Sequence, residues 1–117
     1  MEVATMDKLE RVKIHMSKFE SGSPIDEILE DYAENSVLEV QGNRFEGRDS
    51  IANFFTKTLE AFGHQKFENI EYKEADDGAV EVSWQAGPVK GGDKFYFNES
   101  GMFIRQKAYI GNRPEDF

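Results

Sequence analysis

The sequence contains no cysteine. Disulfides, thiolate metal sites and a cysteine nucleophile are therefore excluded, and a reducing, cytoplasmic location is expected. Histidine is almost as scarce, with two in 117 residues. His15 and His64 lie far apart, without thiols or a spaced carboxylate cluster, and make a poor metal site; no metal or cofactor is expected. No apolar run approaches the roughly 18 residues of a membrane-spanning helix. Met1–Lys8 lacks a basic region followed by an apolar core, so no signal peptide is expected. Positive charge is in the minority, with 14 Lys and Arg against 23 Asp and Glu and a net charge of −9. That sign argues against nucleic-acid and anionic-membrane partners and leaves a small neutral ligand open. There is no repeat, low-complexity tract or linker.

What is present suits one α+β domain over residues 1–117. Asp93–Ile110 reads as two aromatic-rich strands joined by a turn at Glu99-Ser100-Gly101. Period two puts Asp93, Phe95 and Phe97 on one face, so an acid shares an apolar layer with two phenylalanines. Such a carboxylate is costly unless paired or protonated, or placed at the strand's wet end.

Before that stretch come three helices. Leu9, Val12, Met16 and Phe19 mark the buried stripe of the first, over about Thr5–Ser21, and His15 borders it. Ser23-Pro24-Ile25-Asp26-Glu27 starts a short second helix running to about Tyr32. Ser36–Val40 reads as a strand, and Arg44–Glu46 pairs back as a small arm. Ile51, Phe54, Phe55, Thr58, Leu59 and Phe62 form the stripe of the third helix, opened by Gly47-Arg48-Asp49-Ser50 and closed by Gly63. His64 there caps the helix carbonyls. The period then changes to two, with strands at Phe67–Glu74 and Ala79–Ala86 joined by a turn at Asp76-Asp77-Gly78, too short for a calcium loop. Gly87–Gly92 reads as a mobile connection, and Gly111–Phe117 as a frayed tail. Helices first and antiparallel strands last predict helices layered on one sheet face.

Three segments resemble the nuclear transport factor 2-like superfamily, which includes ketosteroid isomerases and SnoaL-like polyketide cyclases. They are Tyr32-Ala33-Glu34-Asn35-Ser36, then Phe45-Glu46-Gly47-Arg48-Asp49-Ser50-Ile51-Ala52-Asn53-Phe54-Phe55, then the meander ending in Gly101-Met102-Phe103-Ile104. The resemblance implies a cystatin-like cone, with three N-terminal helices packed on a curved, mainly antiparallel sheet, an apolar cavity at the wide end and a homodimer. Fold membership alone does not give function. Asp93 falls where ketosteroid isomerase resembles this strand and keeps an aspartic acid protonated to donate to an oxyanion. His15 stands where that family has a tyrosine, and Val40 where it has the catalytic base. Steroid isomerisation by that mechanism is therefore not expected.

His15 and Asp93 are the candidate acid–base pair, suited to proton transfer, dehydration or aldol-type cyclisation. Glu39 is a substitute base only if the first strand twists or bulges; otherwise it is solvated on the opposite face. Strand alternation places Leu38, Val40, Val82, Trp84, Phe95, Ile104, Gln106, Ala108 and Ile110 on the concave face. A small apolar molecule is the expected ligand, bound by Val40, Phe54, Trp84, Phe95, Gln106 and Ala108. Trp84 and Phe54 suit a stacking wall or plain core filling. Glu81, Ser83, Gln85, Lys94, Tyr96, Asn98, Arg105, Lys107 and Tyr109 fall on the convex face, as a solvated surface or a polar dimer contact. Two functions follow: a cofactor-independent isomerase, cyclase or lyase, or a non-catalytic ligand-binding or dimerisation module.

Overall fold

A computed structural model describes residues 7–63 and 66–117. Helices α1 (Lys8–Ser21), α2 (Ile25–Leu29) and α3 (Gly47–Phe62) pack on a sheet of β1 (Tyr32–Val40), β2 (Asn43–Glu46), β3 (Glu68–Glu74), β4 (Val80–Ala86), β5 (Val89–Phe97) and β6 (Phe103–Ile110). The strand order is β2-β1-β6-β5-β4-β3. Every pairing is antiparallel except β1 with β6, which brings the first strand beside the last.

Local chemistry sets the helix ends. Asp7 caps α1, its carboxylate accepting from the Glu10 amide at 2.9 Å, and Gly22 ends it at φ 77°. Thr5 and Met6, expected in this helix, lie outside the described residues, as does His64. The α2 helix stops at Leu29, short of the expected Tyr32. The main chain there pairs with β6 instead, the Asp31 carbonyl accepting from the Phe103 amide at 2.9 Å. Tyr32 thus opens β1, four residues earlier than expected, and a bulge between Tyr32 and Val37 absorbs the difference. The Arg48 Nε donates to the Tyr32 carbonyl at 2.8 Å, so the start of α3 clasps the start of β1.

Three strand expectations are corrected. Gly87–Gly92 is no mobile connection: Ala86 pairs with Val89 across a tight Gly87-Pro88 turn, and β5 runs on through Gly91 and Gly92. A β-carbon on Gly91 would lie 2.8 Å from the Trp84 ring, and one on Gly92 would lie 2.6 Å from the Tyr109 hydroxyl. These glycines are strand residues over which aromatic rings lie. Ile104 does not line the concave face. Tyr96 pairs with Arg105 and Phe97 with Phe103, so Ile104 is the extra residue of a bulge and is exposed, while Phe103 takes the inward position. The tail is docked rather than frayed: Phe117 is buried edge-to-face on Tyr109, ring centroids 4.7 Å apart, with Lys107 and Arg113 over its ring.

The core lies between helices and sheet, where Val12, Met16, Ile28, Leu38, Ile51, Phe55, Val80, Phe95 and Phe103 are buried together. An alanine at position 91 would meet the Tyr109 carbonyl at 2.5 Å as well as the indole. Gly91→Ala is expected to destabilise the protein by about 1–3 kcal/mol, read as a lower urea midpoint. An unchanged midpoint would show that β5 and Trp84 can move apart freely.

Candidate functional site

Adjacent strands bring the concave residues into rows. Val40 pairs with Ala108, Ala108 with Asp93, and Asp93 with Val82. Leu38, Gln106, Phe95 and Val80 make the row below, and Ile110, Gly91 and Trp84 the row above. Asp93 therefore stands in the middle of the apolar face, as its strand position implied.

Its carboxylate is satisfied by two neutral donors. The Trp84 Nε1–H donates to Oδ2 at 2.9 Å, and the Gln106 Nε2–H donates to Oδ1 at 2.8 Å. The indole reaches across the strand because Gly91 has no side chain in its way. Burial pushes the Asp93 carboxyl above its usual range, offset in part by these two bonds and the His15 charge.

From Gln106 the hydrogen bonds continue inward. The Tyr32 hydroxyl makes a short hydrogen bond to Gln106 Oε1, and its oxygen lies 3.2 Å from His15 Nε2. His15 Nδ1 lies 2.7 Å from Asp31 Oδ2, and Lys18 Nζ donates to the other Asp31 oxygen at 3.1 Å. Burial alone would raise the Asp31 carboxyl, but the His15 and Lys18 bonds and charges hold it below its usual range. Burial, and then the charges of Asp93 and Asp31, push the Tyr32 phenol well above its usual range, so it stays protonated.

The expected pair thus belongs to a longer chain, with Asp93 at one end and His15 one step from the other, Asp31. His15 and Asp93 do not bond directly; Tyr32 and Gln106 stand between them. Exposure is 0% at Tyr32, 1% at His15, 4% at Gln106 and 8% at Asp93, rising to 22% at the Asp31 side chain. Phe19, Tyr32, Phe95 and Phe103 surround the imidazole edge-to-face at 4.9–5.5 Å.

Of the other expected residues, Val40, Phe54, Trp84 and Ala108 are half-buried near or along the face, with Trp84 against Phe67 and Phe54 against Phe45. Phe95 is fully buried below Asp93, against His15 and Phe103. Glu39 points to the convex side and pairs with Arg105 at 2.6 Å. Two surface clefts, of about 400 and 340 Å³, lie elsewhere, at the start of α1 and between α2 and α3. Among the described residues, no three His, Asp or Glu side chains converge as metal ligands, and no helix is long and apolar enough to cross a membrane.

Neither Asp31 nor Tyr32 was among the expected site residues. The available signal was chemical: a tyrosine buried among apolar residues needs a partner for its hydroxyl. The identity of that partner depends on the β1–β6 pairing, which no local pattern announces.

Helices wrapped by a curved, unclosed sheet of this order form the cone of the nuclear transport factor 2-like superfamily. The solved structures bear this out. A SnoaL-like protein of unknown function from Burkholderia thailandensis superposes with a TM-score of 0.78 at 15% identity, covering 94% of this chain and 100% of its own. A provisionally assigned polyketide cyclase from Xanthomonas campestris gives 0.74 at 20% identity, covering 90% and 93%. SalBIII, an epoxide hydrolase/cyclase-like enzyme of pyran ring formation in the polyether salinomycin, gives 0.70 at 21% identity, covering 89% and 90%. No curated protein matches the sequence. The SnoaL-like domain profile matches residues 15–105, and the chain belongs to that family.

The two carboxylates give opposite pH signatures. Asp31 is held below its ordinary value, so its contribution is present above the unfolded value and lost as pH falls through the folded one. Asp31→Asn should cost on the order of 1–3 kcal/mol at pH 7, with the gap to wild type closing on acidification. Asp93 is held above its ordinary value, so it costs stability as pH rises from the unfolded value through the folded one. Asp93→Asn should raise the urea midpoint at pH 7, with the gain vanishing at low pH. Denaturation at several pH values measures both; slopes of the same sign would contradict the assignment.

Proposed function

We propose that this protein is a cofactor-independent acid–base enzyme of the SnoaL-like type, an isomerase, cyclase or dehydratase acting on an apolar ketone or polyketide-like molecule. The observation that carries the reading is Asp93. A carboxyl is held in an apolar face by two neutral donors, and its affinity for a proton is raised by burial. A carboxyl shifted toward neutrality can accept a proton from the carbon beside a carbonyl and return it elsewhere. Val40, Phe54, Trp84 and Ala108 supply the apolar wall, and the indole suits stacking on a flat ligand. His15 touches no ligand in this reading; it acts on Asp93 through Tyr32 and Gln106, as a positioning residue. The cysteine-free composition suits the cytoplasm, and a homodimer is retained from family habit.

One observation favours the second reading, a non-catalytic binding or dimerisation module. Among the described residues, every buried side-chain polar atom already has a hydrogen-bond partner. A ligand would have to compete for Asp93 with Trp84 or Gln106.

The test uses 2-tetralone, an apolar ketone with exchangeable α-protons, in deuterated water. Acceleration of exchange is expected, falling about 100-fold or more in Asp93→Asn. Equal rates in wild type and variant would remove Asp93 from the chemistry. A shifted Trp84 indole N–H resonance without accelerated exchange would favour the binding module.

A further inference from the structure

We infer that the buried chain from Asp93 to His15 holds one exchangeable proton that sits at one end or the other, and that the orientation of the Gln106 amide records which. This deepens the reading of Asp93 as the acid–base group and rests on it only for its catalytic consequence.

The inference follows from counting hydrogens. The Gln106 Nε2–H donates to Asp93, so its Oε1 faces Tyr32 and must receive a hydrogen. The Tyr32 hydroxyl has one hydrogen, and Gln106 takes it. The Tyr32 oxygen, facing His15 Nε2 at 3.2 Å, can then only accept, so Nε2 carries a hydrogen. His15 Nδ1 lies 2.7 Å from a carboxylate oxygen of Asp31, so it carries one too. With both ring nitrogens protonated, His15 is an imidazolium, Asp31 its counter-ion, and Asp93 a carboxylate.

With Asp31 ionised beside Lys18, one other arrangement satisfies every contact. If Asp93 carries the proton, it donates to Gln106 Oε1 after a half-turn of the amide. The amide N–H then donates to the Tyr32 oxygen, and the Tyr32 hydroxyl donates to a bare His15 Nε2. His15 keeps only its Nδ1 hydrogen, directed at Asp31. The balance is closed: the proton lost at His15 Nε2 equals the one gained at Asp93 Oδ1, and only N–H and O–H bonds change. With protons at both ends, two donors face each other somewhere in the chain; with none at either, two lone pairs do. Each such buried mismatch is penalised. A hydrogen at one end therefore excludes one at the other.

The surrounding charges favour this linkage. From α1 come His15 and Lys18, from the α2–β1 turn Asp31, from β1 Tyr32, from β4 Trp84, from β5 Asp93 and from β6 Gln106. Arg48 of α3 bonds the Tyr32 main chain rather than the side-chain relay. Asp31 keeps its charge in both arrangements, held by Lys18 when the imidazole is neutral. In the first arrangement Asp93 meets a reacting molecule as a base, and in the second as an acid.

The test reads the His15 ring by ¹⁵N NMR, in the full chain and without substrate, so it stands apart from the tetralone experiment. An asparagine at 93 fits only the second arrangement, because its oxygen takes the Trp84 N–H and its amide must donate to Gln106. Wild type at neutral pH should show the imidazolium signature, with two protonated nitrogens. Asp93→Asn should show the neutral ring protonated at Nδ1 alone. In a Tyr32→Phe background, which keeps the ring but breaks the chain, Asp93→Asn should leave the His15 signature unchanged. If Tyr32→Phe does not fold, Gln106→Met interrupts the same chain one step later. Two results overturn the inference: a His15 signature indifferent to Asp93→Asn, or one altered equally with the chain broken, which would mean a field acting through space.

Discussion

The structure depends on satisfying one carboxylate in an apolar layer. Asp93 cannot be buried among Val82, Phe95 and Ala108 without donors, and each donor imposes a requirement of its own. The Trp84 N–H arrives only because its ring lies over Gly91. Gln106 faces inward beside Phe103 only because Ile104 is bulged out of β6. Gln106 in turn needs a donor for its oxygen, which brings Tyr32 into the interior. Tyr32 is placed by the parallel β1–β6 pairing and by Arg48 on its carbonyl. His15 and Asp31 complete the series. Two bulges, a glycine without a side chain and a charged pair near the rim thus trace back to a single acid.

Much of this fold was legible in the sequence, because periodicity reports what each element buries. The α3 stripe from Ile51 to Phe62, the change of period after Gly63 and the alternation around Asp93 all correspond to observed elements. What failed was what period alone cannot carry. Gly91 and Gly92 look like loop residues until Trp84 and Tyr109 are seen lying against them. The bulge at Ile104 breaks the alternation, and no local composition marks it. Phe117 looked like a loose end because its partner, Tyr109, was assigned to a solvated face. Of the buried network, His15 and Asp93 are the members that the sequence singles out. The middle of that network was not legible, since Tyr32 and Gln106 meet across 74 residues of chain.

Family membership and chemistry separate clearly in this chain. The cone is shared with structures at 15–21% identity, which is enough for an architecture and too little for a site. The clasp between Arg48 and the Tyr32 carbonyl shows what the segment opening α3 does physically: it locks the entry of β1, whatever is catalysed. The side chains that would specify ketosteroid isomerisation depart, at Val40 and at His15. Asp93, at the resembling position, is bonded to an amide and an indole. Both Asp93 oxygens accept from neutral donors, whereas an oxyanion hole needs its acid protonated and free to donate.

The closed network bears on function in a way that depends on where it opens. Its middle members, His15, Tyr32 and Gln106, are almost completely sealed, while the carboxylates at its two ends have more access to solvent. A network built only for stability gains nothing from a carboxylate in its apolar layer, since replacing a buried charged group by well-packed apolar residues is often neutral or stabilising. Asp93 itself is buried in the middle of the apolar face, with Gln106, Tyr32 and His15 sealed behind it. Its half-buried neighbours along that face are Val40, Ala108 and Trp84, and in the proposed reading an apolar molecule held against them meets that carboxyl.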